Sequence, residues 1–212
     1  MMTNVHDLLA YLGLVLLAAG IPLAFASFFR LPGWAKVAAT IVGIASVSVP
    51  FLSEQPLLFY ARGIIGEISV PTQMLFAQGL ARALGWRNRY TEPFPRDVGA
   101  LLIVLIAPLT LCTLGYLPYD LYAWGYQPRL LLVIAAGLLA YAWWRHPGMA
   151  VAWLAGLACF AIGILPSVNL WDALGDPLLG FAGVWLLLVG PGKPIVAGEP
   201  VPSMTPALRR AA

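Results

Sequence analysis

The chain has 212 residues, 61% of them hydrophobic and only 10% charged, against about 25% charged in soluble domains. Apolar runs fill it and leave no stretch long enough to fold in water, so the expected fold class is all-α: a polytopic transmembrane helical bundle, a single domain over residues 1–190, with the lipid bilayer as its first partner. The net charge of +3 comes from basic residues in short connectors, where they act as topology signals, and nucleic acid is not expected to bind.

Residues 1–29 lack a basic n-region and a small-residue cleavage site, and are expected as a retained first helix rather than a signal peptide. Runs bounded by Pro, Gly or charge place spans at about 8–29, 34–52, 98–117, 130–144, 149–165 and 177–190, where a bilayer core takes about 20 helical residues. The runs at 130–144 and 177–190 are short and need flanking residues or a locally thin membrane. Pro22, Pro50 and Pro108 predict kinks. No internal repeat is visible.

The ambiguous segment is "LLFYARGIIGEISVPTQMLFAQGLARAL", residues 57–84, apolar but interrupted by charge, glycine and proline. The positive-inside rule decides whether it crosses. If it does, there are seven spans with the N-terminus outside. Arg30, Lys36, Arg82, Arg87, Arg89, Arg96, Arg145, Lys193, Arg209 and Arg210 then fall on the cytoplasmic side, and Arg129 alone in the external connectors. A re-entrant segment would separate Arg30 and Lys36 from the arginines at 82–96, so crossing is the expectation. The localisation that follows is a bacterial-type inner (plasma) membrane.

On a straight helix with 1.5 Å rise per residue, Arg62 would lie about 7 Å deep and Glu67 about 15 Å, near the midplane. An acid there costs on the order of 3 kcal/mol. Positions five apart are rotated by about 140°, so the two meet only if the helix kinks at Gly63 or Gly66 or unwinds ahead of Pro71. Otherwise Arg62 reaches outward to Glu54 or an external Asp. Arg62, Glu67, Ser69, Gln73 and Gln78 are the candidate intramembrane polar site, read either as a cavity lining or as a structural pair.

Two external connectors carry aromatic and polar side chains together, read first as an interfacial aromatic belt and otherwise as a surface suited to a sugar, a lipid headgroup or a protein partner. Their candidate binding residues are Tyr119, Asp120, Tyr122 and Trp124 in 115–129, and Asn169, Trp171 and Asp172 in 166–177. Cys112 and Cys159 lie in apolar runs without CxxC spacing and are expected as packing residues. His6 and His146 fall on opposite faces of this topology and cannot share a metal or haem, and no HExxH, GxSxG or phosphate-cradling loop is present. No cofactor or metal is expected, and no catalytic residue is assigned.

"WWRHPGMA", residues 143–150, resembles locally the Arg-His-Pro motif of integral-membrane methyltransferases of the isoprenylcysteine carboxyl methyltransferase type. The resemblance covers Arg145, His146 and Pro147. Met149 and apolar residues replace the tyrosine and glycine that usually follow, and no second cofactor-binding motif lies downstream. The tail at 191–212 is rich in proline and poor in apolar residues, and is expected to be disordered and cytoplasmic. The functional expectation is a non-enzymatic accessory or assembly subunit with a protein partner in the membrane, handling envelope lipid or polysaccharide. The alternatives are a small transporter or channel subunit using Glu67 and an integral-membrane lipid-modifying enzyme.

Overall fold

A computed structural model describes residues 5–48, 50–52 and 55–189; the tail expected to be disordered lies outside them. The described residues are all-helical in their regular structure apart from one short antiparallel pairing. In chain order the elements are α1 (Val5–Phe28), α2 (Gly33–Ser48), β1 (Pro50–Leu52), β2 (Gln55–Pro56), α3 (Leu57–Ile65), α4 (Val70–Ala83) and α5 (Arg96–Thr113). A 3-10 turn (Tyr122–Tyr126), α6 (Arg129–Arg145), α7 (Pro147–Ala161), α8 (Leu170–Leu174) and α9 (Pro177–Val189) follow.

Polar and glycine residues at the run boundaries set the helix ends. Ser69, His146 and Asn169 cap the N-termini of α4, α7 and α8. The C-termini of α4, α5 and α7 close on left-handed glycines, Gly85, Gly115 and Gly163. At Gly85 the Trp86 N–H donates to the Ala81 carbonyl (2.9 Å) and the Gly85 N–H to Arg82 (3.0 Å), the paired bonds of a Schellman end. The end of α1 repeats this pairing with Arg30, φ 54°, in the glycine's place.

Two sequence expectations need correction. The second span does not run to residue 52: α2 stops at Ser48 and Pro50 opens β1, because proline lacks the N–H a helix needs and biases its predecessor away from helical geometry. The straight helix used to set the depth of Glu67 is absent: residues 57–84 divide, as Gly66 and Pro71 allow, into α3 and α4 at the non-helical stretch 66–69.

Close contacts fix the helix directions. Gln73 and Phe76 of α4 lie against Gly13 and Gly20 of α1, so these two run parallel. Gly43 of α2 sits on Ala18 and Pro22, while Val47 packs on the cluster of Leu14 and Leu17, so α2 returns antiparallel. Pro71 meets Gly156 and the Gln78 amide meets the Gly148 carbonyl, making α7 antiparallel to α4. Gly99 and Leu102 of α5 face Leu186 and Gly183 of α9, and Ile106 faces Gly180, again antiparallel. The start of α5 is tied to the end of α6 by Asp97 and Arg145 (Nη2 to Oδ2, 2.6 Å). Thus α1, α2, α4, α5, α6, α7 and α9 alternate in direction along the chain.

The main core lies among α5 to α9, around Leu102, Leu131, Met149, Trp153, Leu170 and Leu174. The α1–α2 pair adds a second, smaller cluster beside α4. Two helices, Val5–Ser27 and Arg96–Thr113, are long and apolar enough to cross a membrane; Gly33–Ser48, Pro147–Ala161 and Pro177–Leu188 are shorter apolar helices. Large apolar side chains also cover outward faces: Leu8, Leu12, Ile21 and Phe25 of α1, and Phe181, Trp185 and Leu188 of α9, are exposed.

Candidate functional site

Alternating directions gather the charges at two ends of the bundle. One end carries Arg30, Lys36, Arg82, Arg87, Arg89, Arg96 and Arg145 with Glu92 and Asp97, and the other carries Asp7, Glu67, Asp120, Asp172 and Asp176 with Arg62 and Arg129. The break between α3 and α4 lies at this acidic end. Gly66 turns the chain there with φ 77°, and Ser69 begins α4 by accepting the Thr72 N–H at 3.4 Å.

Asp176 is the hub of the junction. Its Oδ2 accepts the Ser69 N–H (2.7 Å), and its Oδ1 accepts the Thr72 hydroxyl (3.1 Å) and the Leu179 N–H (2.9 Å). One carboxylate therefore serves the N-termini of both α4 and α9, where unpaired N–H groups and the helix dipoles favour negative charge.

Arg62 bonds Glu67 Oε1 and Asp7 Oδ1, each at 2.8 Å, and its guanidinium lies 5.8 Å from the ring centre of Tyr11. Arg62 and Glu67 are thus at the level of the first turn of α1 and not half-way along the bundle. The straight-helix estimate of depth fails because the chain unwinds at Gly66. Nor is the trio buried: the Arg62, Glu67 and Asp7 side chains are 28%, 36% and 38% exposed.

The remaining members of the proposed polar site separate. Ser69 faces the end of the bundle, while Gln73 is buried, donates to the Ile68 carbonyl (2.8 Å) and fills the space above Gly13. Gln78 donates to the Gly148 carbonyl at 2.8 Å. Gln78 thus ties α4 to α7, while Gln73 packs on α1 and bonds the stretch ahead of its own helix, so the two do not continue a polar path.

The two aromatic connectors are sewn to each other. The buried Asn169 donates to the Tyr122 carbonyl (3.0 Å) and accepts the Trp171 N–H (2.9 Å). The Trp171 indole donates to the Leu121 carbonyl at 2.8 Å, and the Tyr122 hydroxyl to Asp172 Oδ2 at 2.8 Å. Gly125 is pressed so closely on Asn169 that a Cβ there would clash. Asn169 and Trp171 are therefore interior groups and not part of a binding surface, whereas Tyr119, Asp120 and Trp124 stay exposed. Burial first, then the Asp172 carboxylate, holds the Tyr122 phenol well above its usual range, so it remains a neutral donor.

Between the break and the sewn connectors is a cavity of ≈ 390 Å³, whose wall includes Glu67, Ser69, Thr110, Tyr122, Asp172 and Asp176. Glu67, Ser69, Tyr122 and Asp172 are among the candidates legible in the sequence, whereas Asp176, Thr110, Thr113 and Ser167, which also line it, are not. The Asp176-Pro177 step ahead of an apolar run is a helix-start signature that marks the missed aspartate.

At the basic end, His146 is the whole connection between α6 and α7. Its Nε2 donates to the Glu92 carbonyl (2.9 Å) and its Nδ1 accepts the Met149 N–H (3.2 Å). Both nitrogens are engaged in shaping a turn, and Phe94 packs on the ring with centroids 4.2 Å apart. Arg145 pairs with Asp97, which also accepts from Tyr141 at 3.0 Å. Arg145, His146 and Pro147 thus form a capped turn. Among the described residues no group of three or more His, Cys, Asp or Glu is placed to hold a metal ion. No protein-family model, curated protein or solved structure matches the chain.

Proposed function

We propose that this chain is a non-enzymatic integral membrane protein of seven spans, acidic end outside and basic end cytoplasmic in a bacterial-type inner membrane, whose outer cavity serves ligand binding within a larger membrane assembly. The observation that carries it is the alternation of seven helical elements with every described cation but Arg62 and Arg129 at one end, a distribution of the kind the positive-inside rule favours. The apolar side chains on outward faces of α1 and α9 support it, since surface of that kind suits lipid and not water. A helix of 14 or 15 residues, as α4 and α7 are, is only about 21–23 Å long. Their polar ends then sit in the headgroup zone, with local thinning or flanking residues making up the difference.

Less supports a transporter, because Glu67 lies at a bundle end and Gln73 and Gln78 are spent on helix packing. An enzyme has less support still, His146 being committed at both nitrogens. The test is accessibility in intact cells, in a background with Cys112 and Cys159 replaced. Single cysteines at Tyr119 and Asp120 should react with an impermeant thiol reagent, and ones at Arg89 and Trp144 only after permeabilisation. Equal labelling of both pairs in intact cells would refute the orientation. Purification in mild detergent should bring down a stoichiometric partner, and a lone monomer would remove the assembly role.

A further inference from the structure

The acidic-end cavity has an apolar neighbour. A second hollow of ≈ 240 Å³ lies between α5 and α9, lined by Ile103, Ala107, Leu111, Phe181 and Val184 among others. The two share Ile106, Thr110 and Pro177 as common wall. A polar chamber thus adjoins an apolar groove across three residues, and a guest that fills both needs a polar head and a hydrocarbon tail.

The direction of the wall's hydrogen bonds decides what the head must be. The Ser69 hydroxyl donates to Thr72 Oγ1, which donates on to Asp176. Thr110 and Thr113 donate to carbonyls of their own helix, Ile106 and Thr110. Tyr122 donates to Asp172. Each hydroxyl has one proton, so these groups turn only lone pairs to the chamber, beside the carboxylates of Asp172 and of Glu67, the latter shared with Arg62. Apart from the Ser167 hydroxyl, the side chains of this wall offer a phosphate or carboxylate acceptors only, and the carboxylates among them repel its charge. An ammonium, which has only donors to offer, satisfies them.

We propose that chamber and groove together bind an amphiphile with an amine-bearing, cationic head and an alkyl tail. The inference rests on the membrane placement proposed above, which the cysteine labelling tests separately: if the labelling succeeds and the binding fails, only this inference falls.

The experiment uses the full chain in lipid nanodiscs with a hexadecylamine carrying a diazirine in its tail. Crosslinks should map to residues 103–111 and 177–184 and be competed by unlabelled hexadecylamine, but not by butylamine. A fatty acid with the same photoreactive tail should label these residues weakly. Changing Glu67→Gln with Asp172→Asn, which keeps acceptors for Arg62 and Tyr122, should lower labelling on the order of tenfold, equivalent to about 1.4 kcal/mol. Ala107→Phe, which fills the groove alone, should abolish it while the melting temperature holds. Equal labelling by amine and acid, or variants that label like the parent, would reduce the groove to ordinary lipid boundary and overturn the proposal. Competition by butylamine as strong as by hexadecylamine would overturn its tail half.

Discussion

Arg62 lies between two carboxylates, one supplied by α1 and one by the break that follows α3, and this sharing governs what a substitution does. Were the pair with Glu67 isolated and buried, removing the acid would strand a guanidinium at about 3–5 kcal/mol. With Asp7 in place and all three side chains partly exposed, Glu67→Gln or Asp7→Asn should each cost no more than about 1 kcal/mol. The double variant should cost more than the sum, because only then does Arg62 lose both carboxylates; a melting-temperature cycle in detergent measures the coupling, and strict additivity would show that Arg62 does not use both. Arg30 offers the opposite sign. It occupies the left-handed end position that glycine fills in three other helices, so Arg30→Gly should raise stability by about 1 kcal/mol, read as a higher denaturation midpoint. His146 adds a pH dependence. Burial depresses its pKa below the usual 6.5, and a proton on Nδ1 would oppose the Met149 N–H it accepts. The unfolded chain therefore binds the proton first, so stability is full above about pH 6.5 and falls as pH drops toward the lower folded value. His146→Asn, which can still cap α7, should flatten that acid limb in thermal melts across pH 5–8.

At the scale of elements, apolar runs and their punctuation were a good guide to helices. Residues 98–117 and 149–165 cover all but the first two residues of α5 and α7 and include their glycine ends, and Gly66, Ser69 and Pro71 mark the place where the polar segment divides. What the sequence hid is partnership across the fold. Asn169 and Trp171 look like surface groups because nothing local says that Leu121, Tyr122 and Gly125 return to bury them. The depth of Glu67 was misjudged for a similar reason: rise per residue converts to depth only along an unbroken helix. Glycines show the same split between local and tertiary information. Gly156 in α7 and Gly137 in α6 are alike in sequence, but a Cβ at 156 would sit 2.3 Å from the Ala173 carbonyl oxygen and one at 137 would meet nothing within 4 Å. Gly156→Ala should destabilise by about 1–3 kcal/mol through forced separation of α7 from α8 and α4. Gly137→Ala should stabilise by about 0.5–1 kcal/mol through helix propensity. Opposite shifts in melting temperature are the expected outcome.

For the whole molecule, the decisive feature is that α1 and α4 run the same way, the arrangement that the proposed crossing of residues 57–84 needs and a return would not give. Asp7 shares Arg62 with Glu67 at the acidic end, and Gly20 lies on Phe76 toward the other. Each step along α1 is therefore matched by a step in the same sense along α4. Had the chain descended through α3 and come back through α4, the 66–69 break would be deepest and Leu80 would approach Asp7. Paired cysteines distinguish the two. In a background lacking Cys112 and Cys159, Gly20→Cys with Phe76→Cys should be joined by a short bismaleimide in native membranes, and Asp7→Cys with Leu80→Cys should not. The reverse pattern would turn α4 around, place Arg82, Arg87, Arg89 and Arg96 opposite Arg30 and Lys36, and remove the charge asymmetry on which the orientation and the outer position of the cavity both depend.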